Sequence, residues 1–97
     1  MLKMDRQEII REIKEIMVDR LMLPLEADEI GDEILLFEQE DETLETLELD
    51  SVDSLEIMVG ISNRFGIKID PEKNPEAFRN VSTLADAVLE QTHAGRA

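Results

Sequence analysis

The stretch "LELDSVDSLEIMVGISNRFGIKID", Leu47 to Asp70, contains a helix whose ends and faces can both be read from its residues. Asp50 or Ser51 opens it. Gly66 suits the position just past a helix end, so the helix is predicted to run to about Phe65. At about 100° per residue, Ile57, Met58, Ile61 and Phe65 gather on one side, while Val52, Leu55 and Val59 gather on nearly the opposite side. A small bundle buries one such face. Burial stabilises by roughly 1.5–3 kcal/mol per large side chain, so Ile57, Met58, Ile61 and Phe65 are assigned to the core. Val52, Leu55 and Val59 are then left near the surface beside Asp53 and Glu56. An apolar strip rimmed by acids suits docking against a basic-rimmed groove. The other reading is that the long loop before the helix folds over the strip and hides it.

Ser51 admits two readings as well. Serines near helix starts mostly act as caps. Here Asp50 can cap, with Asp53 in the first turn, and that leaves Ser51 exposed at the first helical position. Free backbone N–H groups and the helix dipole favour anions there, so a hydroxyl in that place is well positioned to carry a phosphate ester. A hydrolase nucleophile is not indicated. The one histidine, His93, lies in the C-terminal tail, and no Ser-His-Asp arrangement is in reach.

Outward from this helix, Asp5 and Glu8 imitate a capping box ahead of Ile9, Ile10, Ile13, Ile16, Met17 and Leu21 at three-to-four spacing. A first helix is predicted from about Arg6 to about Leu21, closed by Pro24. From Leu25 to Leu49 no long regular period appears. This segment is predicted to be a long loop with a short helical turn, its cluster in "DEILLFE" buried and Leu44 and Leu47 able to pin it to the core. Beyond Gly66, Pro75 suits a brief turn of helix. Thr83 and Asp86 form a T-x-x-D box that predicts the start of the last helix after Thr83, with Leu84, Ala87, Val88 and Gln91 on one side. No strand and no internal repeat is apparent. The fold class is all-α: a bundle of three main helices and a minor one with a long first loop, in a single domain over residues 1–92, with 93–97 as a disordered tail.

Composition narrows the function classes. The 97 residues include no Cys, Trp or Tyr, which excludes disulfides and any thiol chemistry supplied by the chain itself. The N-terminus alternates apolar and charged residues, unlike a signal peptide or a membrane span, so a cytoplasmic, monomeric protein without stable membrane insertion is expected. Net charge is −14. Between Arg20 and Arg64 there is no Lys or Arg but there are fourteen Asp or Glu, while ten acids and ten bases balance outside that interval. Such a field repels nucleic acid and attracts basic protein surfaces, although it also serves plain solubility.

Metal chemistry finds little support. Were Gly31 the turn glycine of an EF-hand loop, the bidentate position would fall on Phe37 and the fifth on Ile30. Asp50, Asp53 and Glu56 read as a solvated face, and no Cys/His ligand spacing is present.

"LDSVDSLEIM", followed by "RFGIKI" and "VSTLADAV" at matching spacing, resembles the acyl carrier proteins of fatty-acid and polyketide synthesis over most of the chain. The resemblance implies an antiparallel bundle of three helices plus a short third one, and a carrier rather than a catalyst. Ser51 matches the serine to which a phosphopantetheinyl transferase, using coenzyme A and Mg²⁺, attaches 4′-phosphopantetheine, and the arm holds acyl intermediates as thioesters. The bundle interior shelters the acyl chain. By position Asp50, Val52, Asp53, Leu55, Glu56 and Val59 fall where family members meet acyl-loading, acyl-modifying and acyltransferase enzymes. Leu36 and Phe37 resemble loop residues that pack on the bundle.

Three departures are visible: Glu48 stands where the family commonly has Gly, Ser62, Asn63 and Arg64 replace an acidic continuation of the helix, and the first loop is longer around "QEDETLET". They point to a specialised carrier with few partners. The rival from another class is an unmodified acidic helical adaptor that binds through Val52, Leu55 and Val59.

Overall fold

Three helices form where capping side chains precede apolar residues at helical spacing. The computed structural model describes residues 5–37, 43 and 45–94. α1 (Arg6–Leu21) opens with the predicted box: the Glu8 N–H donates to Asp5 at 2.8 Å, and the Glu8 carboxylate accepts from the Asp5 N–H. It buries Ile9, Ile10, Ile13, Ile16 and Met17. α2 (Ser51–Phe65) runs over the predicted span and ends at Gly66, whose φ of 72° is the left-handed conformation that a side chain would oppose.

α3 (Val81–Ala94) starts earlier than the T-x-x-D pattern predicts. Thr83 and Asp86 do not form the box. The Thr83 N–H donates to Asn80 Oδ1 at 2.8 Å and the Asn80 N–H donates to Thr83 Oγ1 at 3.1 Å, so Asn80 is the capping residue and Thr83 its partner. Asp86 is drawn away by Arg6, whose Nε lies 2.9 Å from its carboxylate and which also bonds to Ser82. This contact ties the first turns of α1 and α3. The inward face of α3 holds Val81, Leu84, Ala85 and Val88. Ala87 is half-buried, and Gln91 is exposed, donating to the Lys68 carbonyl. The helix continues past Thr92 to Ala94.

The first loop corrects the expectation of no strand. After a 3₁₀ turn at Ala27–Glu29, β1 (Leu35–Phe37) pairs in parallel with β2 (Thr46–Leu49), pairing Leu35 with Thr46 and Phe37 with Leu49. Two steps along β1 face three along β2, so β2 carries a bulge. Glu48 lies within it at φ 56°, its N–H donating to Thr46 Oγ1 at 2.9 Å. The bulge turns Leu49 into the core and leaves Asp50 outside as the cap of α2. On the other side of β1, the Leu36 N–H donates to the Arg79 carbonyl just after the 3₁₀ turn at Pro75–Phe78. Leu36 is fully buried, and Phe37 and Leu47 pack against the core. Leu44 lies outside the described residues. The strands are a minor addition to a helical bundle of the predicted class.

α1 packs on both α2 and α3, and its register on α2 is antiparallel: Glu12 pairs with Arg64, Ile16 meets Gly60, and Arg20 pairs with Glu56. Gly60 sets the spacing. A Cβ there would sit 2.3 Å from Ile16 Cγ2, far inside van der Waals contact. Ser51 therefore lies at the end of the bundle where α1 finishes.

Candidate functional site

Asp50 fixes the geometry of the N-terminal end of α2. Its Oδ1 accepts from the N–H groups of Val52 and Asp53, each at 3.0 Å, while Asp53 Oδ2 accepts from the Asp50 N–H at 2.9 Å. A complete capping box thus forms without Ser51. The expectation of several free N–H groups is corrected by the same bonds: among the described residues, only the Ser51 amide of this first turn lacks a partner. Little amide capacity for an anion remains, and the helix dipole alone still favours one there.

Ser51 is exposed, and none of the described residues bonds to its hydroxyl. Ser54, one turn on, is the opposite case. It is buried, and its Oγ donates to the Ser51 carbonyl at 2.6 Å, so its hydroxyl is neither accessible nor free. Of the two serines in "DSVDS", only Ser51 presents a reactive oxygen to solvent.

Beside Ser51 opens a groove of about 400 Å³, lined by Phe37, Leu49, Ser51, Pro71, Pro75 and Phe78 among others. The apolar rings come from β1 and from the connection between α2 and α3. Asp50, the one titratable group in the lining among the described residues, already accepts two amide bonds. The site offers an exposed hydroxyl next to an apolar channel and no base of its own to activate it. Such a hydroxyl can accept a group when another protein brings the base.

The outer face of α2 is open. Val52 is 65% exposed, Leu55 50% and Val59 40%, and the described part of the first loop does not cover them. On the inner face Ile57 and Ile61 are fully buried with Ser54 and Gly60, while Met58 and Phe65 reach only the margin of the core. Sequence reasoning missed Gly60 and Ser54. A glycine inside an otherwise regular helix was the available signal for a close helix approach.

Acids around the strip are already engaged. Asp50 and Asp53 hold the cap, and Glu56 Oε1 lies 2.9 Å from Arg20 Nη1. Among the described residues no group of three metal-ligating side chains is assembled, and no helix is long and apolar enough to cross a membrane.

A family model described as a phosphopantetheine attachment site matches residues 11–88. An acyl carrier protein of Rubrobacter xylanophilus is 33% identical over 91 residues, which cover 94% of this chain and 100% of that one. An acyl carrier protein homolog of Mycoplasma genitalium is 45% identical over 47 residues, 48% of this chain and 51% of its own. No solved structure gives a significant match.

Proposed function

Because the chain belongs to the acyl carrier protein family and contains its phosphopantetheine attachment domain, a carrier and not a catalyst, we propose that Ser51 is the residue that receives the arm. The observation that carries this reading is the contrast between the two serines: Ser51 is exposed and its hydroxyl has no partner among the described residues, whereas Ser54 is buried and donates to a carbonyl. When attached, 4′-phosphopantetheine supplies the thiol that this cysteine-free chain lacks and holds acyl intermediates as thioesters. The residues fit such a group. The rings of Phe37, Pro71, Pro75 and Phe78 border Ser51 with an apolar channel that can shield the start of the arm and its cargo from water.

Membership of the family implies dependence on a phosphopantetheinyl transferase and on acyl-handling enzymes. Their docking face, in this reading, is the exposed strip Val52, Leu55 and Val59 with the acids Asp50, Asp53 and Glu56, meeting basic surfaces of acyl-loading, acyl-modifying or acyltransferase enzymes. The work served is fatty-acid, lipid or polyketide biosynthesis in the cytoplasm. A specialised place within it is supported by Glu48, Ser62, Asn63 and Arg64.

Incubating the folded chain with a promiscuous phosphopantetheinyl transferase, coenzyme A and Mg²⁺ tests the assignment by intact mass. The expected result is one added phosphopantetheine, absent from Ser51→Ala and retained in Ser54→Ala. Unchanged mass in the native chain, or addition that persists in Ser51→Ala, overturns it. If the mass in the native host is unchanged and partner binding survives Ser51→Ala, the chain is the unmodified adaptor instead.

A further inference from the structure

The outer face of α2 carries its unopposed acidity at one end only. Near Ser51, the exposed or half-exposed Glu48, Asp50 and Asp53 have no Lys or Arg partner among the described residues. One turn further along, a cation intervenes. Arg20 comes from α1, lies over Gly60, where a Cβ would stand 2.9 Å from its Cδ and 3.1 Å from its Nε, and ends 2.9 Å from Glu56. Gly60 therefore does more than set helix spacing. It leaves the channel through which the Arg20 stem reaches the docking face.

The pair remains in contact with solvent, with side-chain exposures of 31% for Arg20 and 47% for Glu56, so the positive charge is presented outward as well as toward Glu56. Beyond it α2 offers Ser62 and Asn63, exposed and neutral, and then Arg64 paired with Glu12. Along α2 itself the charge is asymmetric: acid at the serine end, apolar residues in the middle and no acid beyond Glu56, with Glu15 and Asp19 of α1 standing beside Arg20, Asn63 and Arg64. Fields of this kind select partners more through repulsion of wrong ones than through added affinity.

Resting on the docking reading of α2 given above, we propose that Arg20 is a specificity-determining residue of this surface. The partner it fits is an enzyme face with basic residues opposite Asp50 and Asp53, an apolar groove for Val52, Leu55 and Val59, and a neutral or acidic group opposite Arg20. An enzyme whose basic ridge runs the whole length of the helix meets Arg20 as a like charge and is disfavoured. Glu56 is held back from such a ridge by its ion pair.

The test uses the full chain and a promiscuous phosphopantetheinyl transferase with a basic docking surface as probe, reading KM and kcat for the carrier in low salt. Arg20→Gln lowers KM by about threefold with kcat little changed, an effect of the size expected for an exposed charge. Glu56→Gln raises KM by a factor about threefold larger in the Arg20→Gln chain than in the presence of Arg20. Both effects shrink in 0.5 M salt, where the Debye length falls to about 4 Å. Equal factors for Glu56→Gln in both backgrounds, or a rise in KM for Arg20→Gln with an unchanged melting temperature, overturn the proposal. Leu55→Ser serves as the separate control of the docking reading: a large rise in KM in every background upholds it. An unchanged KM removes the docking reading and this inference with it, whereas a failed Glu56 cycle with a responsive Leu55 removes the inference alone.

Discussion

The two faces of α2 are built from similar residues and meet opposite fates. Ile57 and Ile61 on one side are fully buried, while Val52, Leu55 and Val59 on the other stand open to solvent. Hydrophobicity does not separate them. What separates them is Gly60, which lets α1 close against one side, and the end of the helix at Asp50, which turns the described part of the first loop toward the core instead of over the strip. Burial on one face stabilises the fold, and exposure on the other costs solubility that the surrounding acids offset. An open apolar strip of this kind suits the docking role proposed for it.

Substitutions can break this contrast in graded ways. The largest effect belongs to Ile57→Ala, which leaves a cavity among Ile and Leu side chains and is expected to cost about 3 kcal/mol in denaturant unfolding. Gly60→Ala comes next. Although alanine favours helix, its Cβ has no space beside Ile16 and Arg20, and the helices must part, at a net cost of about 2 kcal/mol. A neutral or stabilising result would show that the close approach is slack. Glu48→Gly goes the other way. Its φ of 56° penalises a side chain, so glycine there is expected to stabilise by about 1 kcal/mol while leaving both faces of α2 unchanged. The smallest stability effect, within about 0.5 kcal/mol, is expected for Leu55→Ser, measured in the same way. That variant sharpens the comparison most, since it should be nearly silent in unfolding and damaging in partner kinetics.

The helix at the centre of the site was legible because its signals are local. Asp50 and Gly66 bracket it, and one turn of arithmetic separates its faces. The strand pair was not. β1 and β2 are three and four residues long, shorter than any period can announce, and they run parallel across a connection of eight residues, where parallel pairing ordinarily spans a dozen or more. On its other side β1 is held by the bond of Leu36 to Arg79, a residue far along the chain. The cap of α3 failed for a different reason. Both N-x-x-T and T-x-x-D fit the local pattern, and Arg6 from another helix decided between them by claiming Asp86.

At the site, Ser51 could be separated from a capping role because Asp50 offered a better oxygen, but its amide surroundings were misjudged. The carboxylates of the box occupy the N–H groups that an anion would use. Arg20 could not be foreseen beside Glu56 at all, since nothing in α2 or its flanks announces a side chain arriving from α1. Glu48 is the instructive middle case: an unusual residue flagged by sequence, whose backbone turned out to keep the left-handed shape that glycine favours.

The parallel pairing of β1 with β2 has an evolutionary consequence. By clasping Leu35 to Thr46 and Phe37 to Leu49, it anchors both ends of the acidic segment between them on the body of the protein. Ser51 follows two residues beyond β2, next to the clasp. Lengthening such a tethered excursion is cheap, with each doubling adding only about 0.6 kcal/mol of closure entropy. Insertions could therefore accumulate between Phe37 and Thr46 while the N-terminal end of α2 stayed in register, and the same place is a natural port for grafting a reporter or an affinity peptide onto the chain.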